Sequence, residues 1–261
     1  MKRLLSIITA AFLFMLLAIP ASAADDAMVR IIHASPDAPA VDILVDGEKA
    51  VSGAEFKAVT DYLTLPAGEH KVEVFAAGTT ENAVITETLN VEAGKFYTAA
   101  AIGQLDSIKL AVMEDNGAGE DGKSMVRVAH FSPDAPAVDV APKGGDPLFS
   151  NLEFSNVSDY GTLDAGSYDL EIRPAGATDV VKALDGIALE GGKNYTALAI
   201  GLLEGEPAFD VLLIADGGDT AAMPDTGLGG TAEASNINMW LLAAGGAALL
   251  LAGYVFRRKT A

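Results

Sequence analysis

Apolar and polar residues alternate with a period of two through most of the chain between residues 28 and 215. Residues 70–75 and 168–172 show this alternation clearly, and it is typical of strands that are buried on one face. Pro-, Asp- and Gly-containing segments at residues 65–68 and 163–166 precede them and are typical of turns. No stretch of this region has a persuasive helical period, so the pattern predicts an all-β structure.

Two further kinds of segment refine that prediction. Residues 95–102 and 193–200 are apolar enough to be strands buried on both faces. Residues 41–47 form a strand that enters a tight turn at Asp46-Gly47. About seven strands fit into each stretch of roughly 90 residues, with turns every 8–12 residues, and this spacing favours antiparallel β-sandwiches.

An internal repeat sets the domain organisation. Eleven of the fifteen residues at 29–43 recur at 126–140, and later matches are offset by one more residue. The extra residue fits a hairpin, since the turn at 46–47 corresponds to the longer segment 143–146. A period near 98 residues is that of a domain. We therefore predict two tandem β-sandwich repeats, at 24–114 and 124–215, with a linker at 115–123.

Both ends of the chain carry apolar runs outside the repeats. Residues 1–23 combine a basic start, an apolar stretch and a small-residue cleavage site after Ala23, which predicts a secretory signal peptide. An uncleaved N-terminal anchor is the alternative. Residues 239–256 are uncharged and predict a transmembrane helix of about 27 Å. The basic tail at 257–261 would then be cytoplasmic and the preceding chain exported.

The segment before this helix contains a short motif. Residues 216–238 form a predicted linker that holds Met223, Pro224, Asp225, Thr226 and Gly227. Followed by the apolar run and basic tail, this motif resembles a Gram-positive cell-wall sorting signal of the Leu-Pro-x-Thr-Gly type, with Met223 in place of Leu. The resemblance implies that sortase and peptidoglycan are partners, with joining to the wall at Thr226. A plain membrane anchor is the alternative.

The amino-acid composition excludes several classes of function. The 261 residues include no cysteine, which suits an exported bacterial protein and excludes thiol catalysis and cysteine metal sites. The formal net charge of −19 repels nucleic acid and anionic lipid. It would attract cations such as Ca²⁺, although a solvated surface that resists aggregation is the simpler interpretation.

The repeated block has the form R-x-x-H-x-S-P-D-A-P-x-V-D in both copies, at residues 30–42 and 127–139. Together with a later Tyr and a Gly-Lys-x-Tyr-Thr segment, it resembles the bacterial surface-module family called domain of unknown function 4397. The resemblance covers nearly the whole region between the two ends. It implies an exported, often tandem module of immunoglobulin-like or related sandwich character, with no agreed activity.

Three hypotheses concern the chemistry of this block. His33, Ser35 and Asp37 could form a catalytic set, but side chains at alternate strand positions are parallel rather than convergent. They could instead stabilise a structural corner, with Ser35 and Asp37 bonded to nearby amides in local turns. A metal or ligand site suited loosely to Ca²⁺, Mn²⁺ or Zn²⁺ is the third; its candidate residues are His33, Asp37, Asp42, His130, Asp134 and Asp139. We expect Arg30 to pair with Asp42 or Asp61.

The sequence lacks the phosphate-binding loop, the His-Glu-x-x-His motif and the nucleophile elbow. We therefore predict a non-enzymatic surface protein without a cofactor, with a structural or adhesive role near the wall. A sugar-, peptide- or Ca²⁺-binding module is the alternative, and a hydrolase is least favoured. Residues 215–222 would extend only about 26–29 Å, so we expect the second repeat to lie against the envelope and the first to face outward.

Overall fold

The computed structural model of the chain describes residues 26–117, 119 and 122–217. This part is all-β, with sixteen strands and one short 3₁₀ helix. It contains no helix with the length and apolar character needed to cross a membrane. The predicted signal peptide (1–23), sorting motif (223–227), transmembrane helix (239–256) and basic tail (257–261) lie outside the described residues.

Each repeat contributes eight strands, which form two four-stranded sheets. In repeat 1 the strands are β1 (Ala27–His33), β2 (Val41–Val45), β3 (Glu48–Ala54), β4 (Leu63–Leu65), β5 (Gly68–Ala76), β6 (Ile85–Val91), β7 (Phe96–Ile102) and β8 (Lys109–Asp115), with the 3₁₀ helix Leu105–Ser107 before β8. In repeat 2 they are β9 (Lys123–His130), β10 (Val138–Pro142), β11 (Phe149–Leu152), β12 (Gly161–Asp164), β13 (Gly166–Pro174), β14 (Lys182–Leu189), β15 (Asn194–Ile200) and β16 (Asp210–Asp216).

The two repeats have the same sheet topology. The inner sheets have the orders β4-β1-β7-β8 and β12-β9-β15-β16, and the outer sheets have the orders β3-β2-β5-β6 and β11-β10-β13-β14. The antiparallel prediction is wrong for one pair in each repeat, because β1 runs parallel to β7 and β9 runs parallel to β15. Local sequence patterns do not encode this pairing, since the first strand of each repeat lies in the middle of its sheet beside a strand whose paired residues come 68 or 69 positions later.

A hydrophobic core fills the space between the inner and outer sheets of each repeat. In repeat 1 it joins Val29 and Ile31 of β1 to Ile43 of β2 and Val74 of β5. In repeat 2, Val128 packs similarly with residues of β10 and β13. The period-two alternation therefore places every second residue of β1 and β9 in these cores.

Ile32 of β1 and Ala129 of β9 point to the opposite face and belong to a third core, which lies between the two inner sheets. Its fully buried members include Ile32 and Ile102 from repeat 1, and Phe131, Leu198 and Ile200 from repeat 2. The sheets thus stack in four layers, outer–inner–inner–outer. This arrangement explains why the segments predicted to be buried on both faces, which contain β7 and β15, are so apolar.

Loop chemistry follows the sequence closely. Asp46 and Gly47 have φ angles of +53° and +81°, as a two-residue type I′ hairpin requires. The corresponding connection in repeat 2 is longer and reaches from Pro142 to Phe149, which locates the inserted residue. β8 continues through Asp115 and β9 starts at Lys123, so each strand takes one residue from the predicted linker.

Candidate functional site

The signature block of repeat 1 forms the exit from β1. His33 Nε2 lies 3.1 Å from the Pro39 carbonyl oxygen, to which it donates. Ser35 Oγ donates to the Gly103 carbonyl at 2.6 Å, and the Asp37 carboxylate accepts from the Leu105 amide at 2.8 Å. The three side chains therefore bind three different backbone groups and tie this corner to the loop after β7. The expected local turns are wrong for Ser35 and Asp37, whose partners are 68 residues away.

The block of repeat 2 keeps the histidine and aspartate contacts but has a different serine contact. His130 Nε2 donates to the Pro136 carbonyl at 3.0 Å, and its Nδ1 accepts from the backbone amide of Ser132 at 3.3 Å. Asp134 accepts from the Leu203 and Glu204 amides. Ser132 Oγ lies 3.3 Å from the Asp134 carboxylate, so its hydroxyl is directed at the acid and not at the imidazole. A nucleophile needs its base in contact, and this arrangement does not provide that contact.

The two remaining candidates, Asp42 and Asp139, lie on the face of the outer sheet that points away from the core. Asp42 accepts from Lys49 Nζ at 2.6 Å and from the amides of Gly53 and Gly78. Asp139 accepts from the Asn151 and Gly176 amides. Within the described residues, no three His, Asp or Glu side chains gather as ligands for a metal ion. The sets His33–Asp37–Asp42 and His130–Asp134–Asp139 are thus split between separate backbone contacts.

The Asp42 carboxylate should make the fold acid-sensitive. The hydrogen bond from Lys49 and those from the two amides lower its pKa from 3.8 to about 2, although burial opposes the shift. A lowered folded-state pKa contributes stability above pH 3.8 that is lost as the pH falls through 2. At about 1.4 kcal/mol per pKa unit, Asp42→Asn should lower the free energy of unfolding at pH 7 by about 2 kcal/mol. Urea titrations at pH 7 and pH 3 test this, with the exposed Asp61→Asn as the control; equal losses at both pH values would contradict it.

The buried histidines add a second pH dependence. Burial lowers the pKa of His33 and His130 below 6.5, outweighing the carbonyl contacts that raise it. For His70, burial also lowers the pKa, but the Asp46 carboxylate and the Pro66 carbonyl together raise it above 6.5. His33 and His130 therefore contribute stability that is lost as the pH falls below 6.5, whereas the contribution of His70 is present there and is lost as the pH rises.

We expect the melting temperature to decline from pH 7 to pH 5.5, and His33→Gln/His130→Gln to decline less steeply than the parent. His70→Gln should decline more steeply than the parent. Thermal melts across this range measure both slopes, and a parallel decline for all three proteins would contradict the assignment.

The junction between the inner sheets carries a reciprocal exchange of arginines. Arg30 of β1 crosses to β16, where Nη1 donates to the Ala215 carbonyl and Nη2 donates to Asp216 Oδ1, both at 2.6 Å. Its Nε and Nη2 also donate to Thr98 of its own repeat. The prediction that Arg30 pairs with Asp42 or Asp61 is wrong, because Arg30 lies on the face of β1 that meets repeat 2.

Arg127 makes the mirror-image contacts from repeat 2. It donates to the Glu114 carbonyl at 2.7 Å, to the Asp115 carboxylate, and through Nε to Thr196 of its own repeat. Both arginines are at most 4% exposed, and both aspartates are also buried. Residues offset by 97 to 101 positions thus occupy equivalent places, so the two repeats are related by an approximate two-fold axis.

One tyrosine completes each half of the exchange. Tyr62 donates its hydroxyl to Asp115 at 2.7 Å and lies under the Arg30 guanidinium, 4.9 Å from its ring centroid. Tyr160 does the same with Asp216 and Arg127. Burial and the adjacent carboxylates raise the pKa of both phenols. Tyr97 and Tyr195 instead accept from the Glu92 and Glu190 amides in the same repeat, so all four hydroxyls have protein partners.

Sequence reasoning missed this junction. The sequence nevertheless contained an indication of it. Residues 29–32 are apolar except for Arg30, and Arg127 occupies the same place in the second copy. A buried arginine requires a partner, and the repeat doubles that requirement. The site with the densest buried polar contacts in the described residues is therefore the contact between repeats, not the proline-containing corner.

The sequence of both repeats matches the model of one family, described as a domain of unknown function (DUF4397), over residues 27–141 and 143–227. The chain belongs to the DUF4397 family. The second match extends beyond the last DUF4397 strand, β16, and includes the motif at 223–227. No curated protein matches the sequence.

Two solved structures with a distant likeness to this DUF4397 pair are the following. The Bacillus anthracis TIE protein is 13% identical with a TM-score of 0.23, over 67% of this chain and 34% of that one. The chain thus spans about a third of the length of that protein. CBMbc, a family CBM26 module of Eubacterium rectale Amy13K solved with maltoheptaose, is 12% identical with a TM-score of 0.24, over 74% and 98% of the two chains. At these TM-scores neither likeness supports an inference about this chain.

Proposed function

We propose that this protein is a non-enzymatic surface protein that presents two DUF4397 repeats as one packed unit on a Gram-positive envelope, in a structural or adhesive role close to the wall. The junction between the repeats is the observation that carries the proposal. Its reciprocal Arg30–Asp216 and Arg127–Asp115 pairs are buried and fully bonded. The His and Asp side chains of both signature blocks and Ser35 bind backbone groups, and Ser132 donates to Asp134; these contacts suit them to holding a corner and not to turnover.

We infer that each repeat also belongs to the immunoglobulin-like class of sandwiches. The support is a pair of four-stranded sheets enclosing a core, with the inner order β4-β1-β7-β8. An experimental structure compared strand by strand with immunoglobulin domains would decide this point.

The attachment follows from the sorting motif. In the proposed step, the thiolate of a sortase attacks the carbonyl carbon of Thr226, and the Thr226–Gly227 peptide bond breaks with release of the Gly227 amine. An amino group of peptidoglycan then displaces the thiol, so Thr226 becomes amide-linked to the wall. In the proposed step, Pro224 would restrict the backbone before the scissile bond, and the apolar segment 239–256 would hold the substrate at the membrane.

The position of Gly217 changes which repeat we expect to face outward. The Gly217 amide lies 3.3 Å from the Tyr62 hydroxyl, so the chain leaves β16 at the junction and touches repeat 1 as it does so. Five residues such as 218–222 can span at most about 17 Å. We therefore infer that both repeats stand at similar distances from the wall, in place of the outward-facing first repeat expected from the stalk length alone.

The anchoring step has a direct test. Thr226→Ala should move the protein from the wall fraction to the membrane and medium fractions, with at least a tenfold loss of wall-linked material, because the bond that sortase cleaves is altered. Fractionation of a Gram-positive host followed by immunoblotting measures this. Asp225→Ala, at the variable position of the motif, is the matched control and should leave the wall fraction unchanged. A wall fraction that is also unchanged in Thr226→Ala would favour the plain membrane anchor.

A further inference from the structure

The C-terminal end of β16 is held by a strand from the other repeat. Arg30 of β1 binds the carbonyl of Ala215 and the carboxylate of Asp216, each at 2.6 Å. Tyr62, beside Arg30, accepts from the Gly217 amide at 3.3 Å. The last three described residues of the chain are therefore each bonded to repeat 1.

Without these contacts, tension on the C-terminal end of β16 would separate that strand from its sheet easily. Among the strands that the structure describes it lies at a sheet edge, because its ladder partner there is β15 alone. A pull on the C-terminal end of an edge strand breaks the ladder bonds one at a time from that end. β1, in contrast, is paired on both sides, with β4 and β7. Loading β1 requires many hydrogen bonds to yield together.

We propose a load-bearing function for the junction: Arg30 and Tyr62 form a latch that passes tension arriving at Gly217 from β16 into β1, so that the two repeats resist force as one unit. The inference rests on the proposed function in one respect, that natural load reaches the protein through its C-terminal attachment. The charge-assisted bonds of the latch suit this task, since a guanidinium that binds a carboxylate and a carbonyl together is among the stronger side-chain connections.

The approximate two-fold axis relates the latch to an equivalent pair, Arg127 and Tyr160, which does not lie between Gly217 and β1. Arg127 and Tyr160 hold the end of β8 through the Glu114 carbonyl, Asp115 and the Asn116 amide. These contacts are similar in kind and burial to those of the latch. They secure the start of the inter-repeat linker and not the end of β16. Arg127 therefore serves as a matched control for Arg30.

The test is force spectroscopy on the purified protein, with handles joined before Asp26 and after Gly217. At constant force, Arg30→Gln should raise the rate of the first opening event by about tenfold or more, as expected for loss of charged hydrogen bonds. Arg127→Gln should change that rate by less than about threefold, although both variants should lose similar equilibrium stability in urea. Equal acceleration in the two variants, or none in Arg30→Gln, would overturn the latch.

A second pair of variants tests the latch if the first pair does not fold, and the force measurement is independent of wall attachment. If Arg30→Gln does not fold, Arg30→Lys keeps the charge but loses the two-pronged contact, and it should still accelerate the first opening more than Arg127→Lys does. Since purified protein is pulled without a wall, failure of the latch leaves the Thr226→Ala result untouched. A wall-attachment failure likewise leaves the measured force response intact.

Discussion

Replacing Arg30 with methionine is expected to lower the free energy of unfolding by about 3–5 kcal/mol, which is the usual cost of removing one partner from a buried ion pair. The substitution leaves the Asp216 carboxylate buried without its cation. The hydroxyls of Tyr160 and Thr196 still donate to Asp216, so the loss should lie toward the lower end of that range. Urea denaturation followed by fluorescence and far-UV circular dichroism measures the change.

A double variant separates the charge effect from lost packing. Asp216→Asn removes the negative charge and keeps an oxygen that can accept from Tyr160 and Thr196. In Arg30→Met/Asp216→Asn we expect at least half of the loss to be recovered, because no unpaired charge then remains in the junction. If the double variant is as unstable as Arg30→Met alone, the cost comes from shape and not from an uncompensated carboxylate.

Much of the fold could be predicted because the relevant information is local. Strand alternation at residues 70–75, the Asp46-Gly47 hairpin and the apolar residues of β7 each depend on neighbours in the sequence. The partner of Arg30 could not be predicted in the same way, since Asp216 is 186 residues away and belongs to the other repeat. The choice of Asp42 or Asp61 assumed that a repeat satisfies its own charges, whereas alternation along β1 already placed Arg30 on the face opposite Val29 and Ile31.

The candidate corner was predicted in type but not in detail. Proline residues and short polar side chains indicated a turn held by hydrogen bonds, and His33 does bind a carbonyl within the block. The partners of Ser35 and Asp37 lie in the loop after β7. That loop approaches the corner because β1 and β7 are parallel neighbours, whose ends meet at the same edge of the sheet. Without knowledge of that pairing, a local partner was as plausible as a distant one.

The apolar part of the junction departs from two-fold symmetry, and at three of its positions the larger side chain belongs to repeat 2, whereas Ile32 of repeat 1 is larger than its counterpart Ala129. Positions occupied by Ala34, Ala100 and Ala111 in repeat 1 correspond to Phe131, Leu198 and Leu212 in repeat 2. At these three positions, small side chains of repeat 1 and large side chains of repeat 2 belong to one cluster. Two copies of repeat 1 would leave voids at these positions, and two copies of repeat 2 would overpack them. The size difference favours the pairing of unlike repeats within one chain.

Phe131 should accordingly be the most sensitive apolar position of the junction. It is fully buried, and Phe131→Ala is expected to lower the free energy of unfolding by about 3–5 kcal/mol through lost burial and the cavity left behind. Because the cavity lies between the inner sheets, calorimetry should also show the single unfolding transition separating into two, one for each repeat.

The control for this effect is Val112→Ala. Val112 is 46% exposed on β8, so its truncation should change the stability by no more than about 0.5 kcal/mol and leave a single transition. Leu198→Ala, combined with Phe131→Ala, should cost less than the sum of the two single losses, because both side chains belong to the same cluster. Additive losses with one retained transition would show that Phe131 stabilises repeat 2 alone and does not couple the repeats.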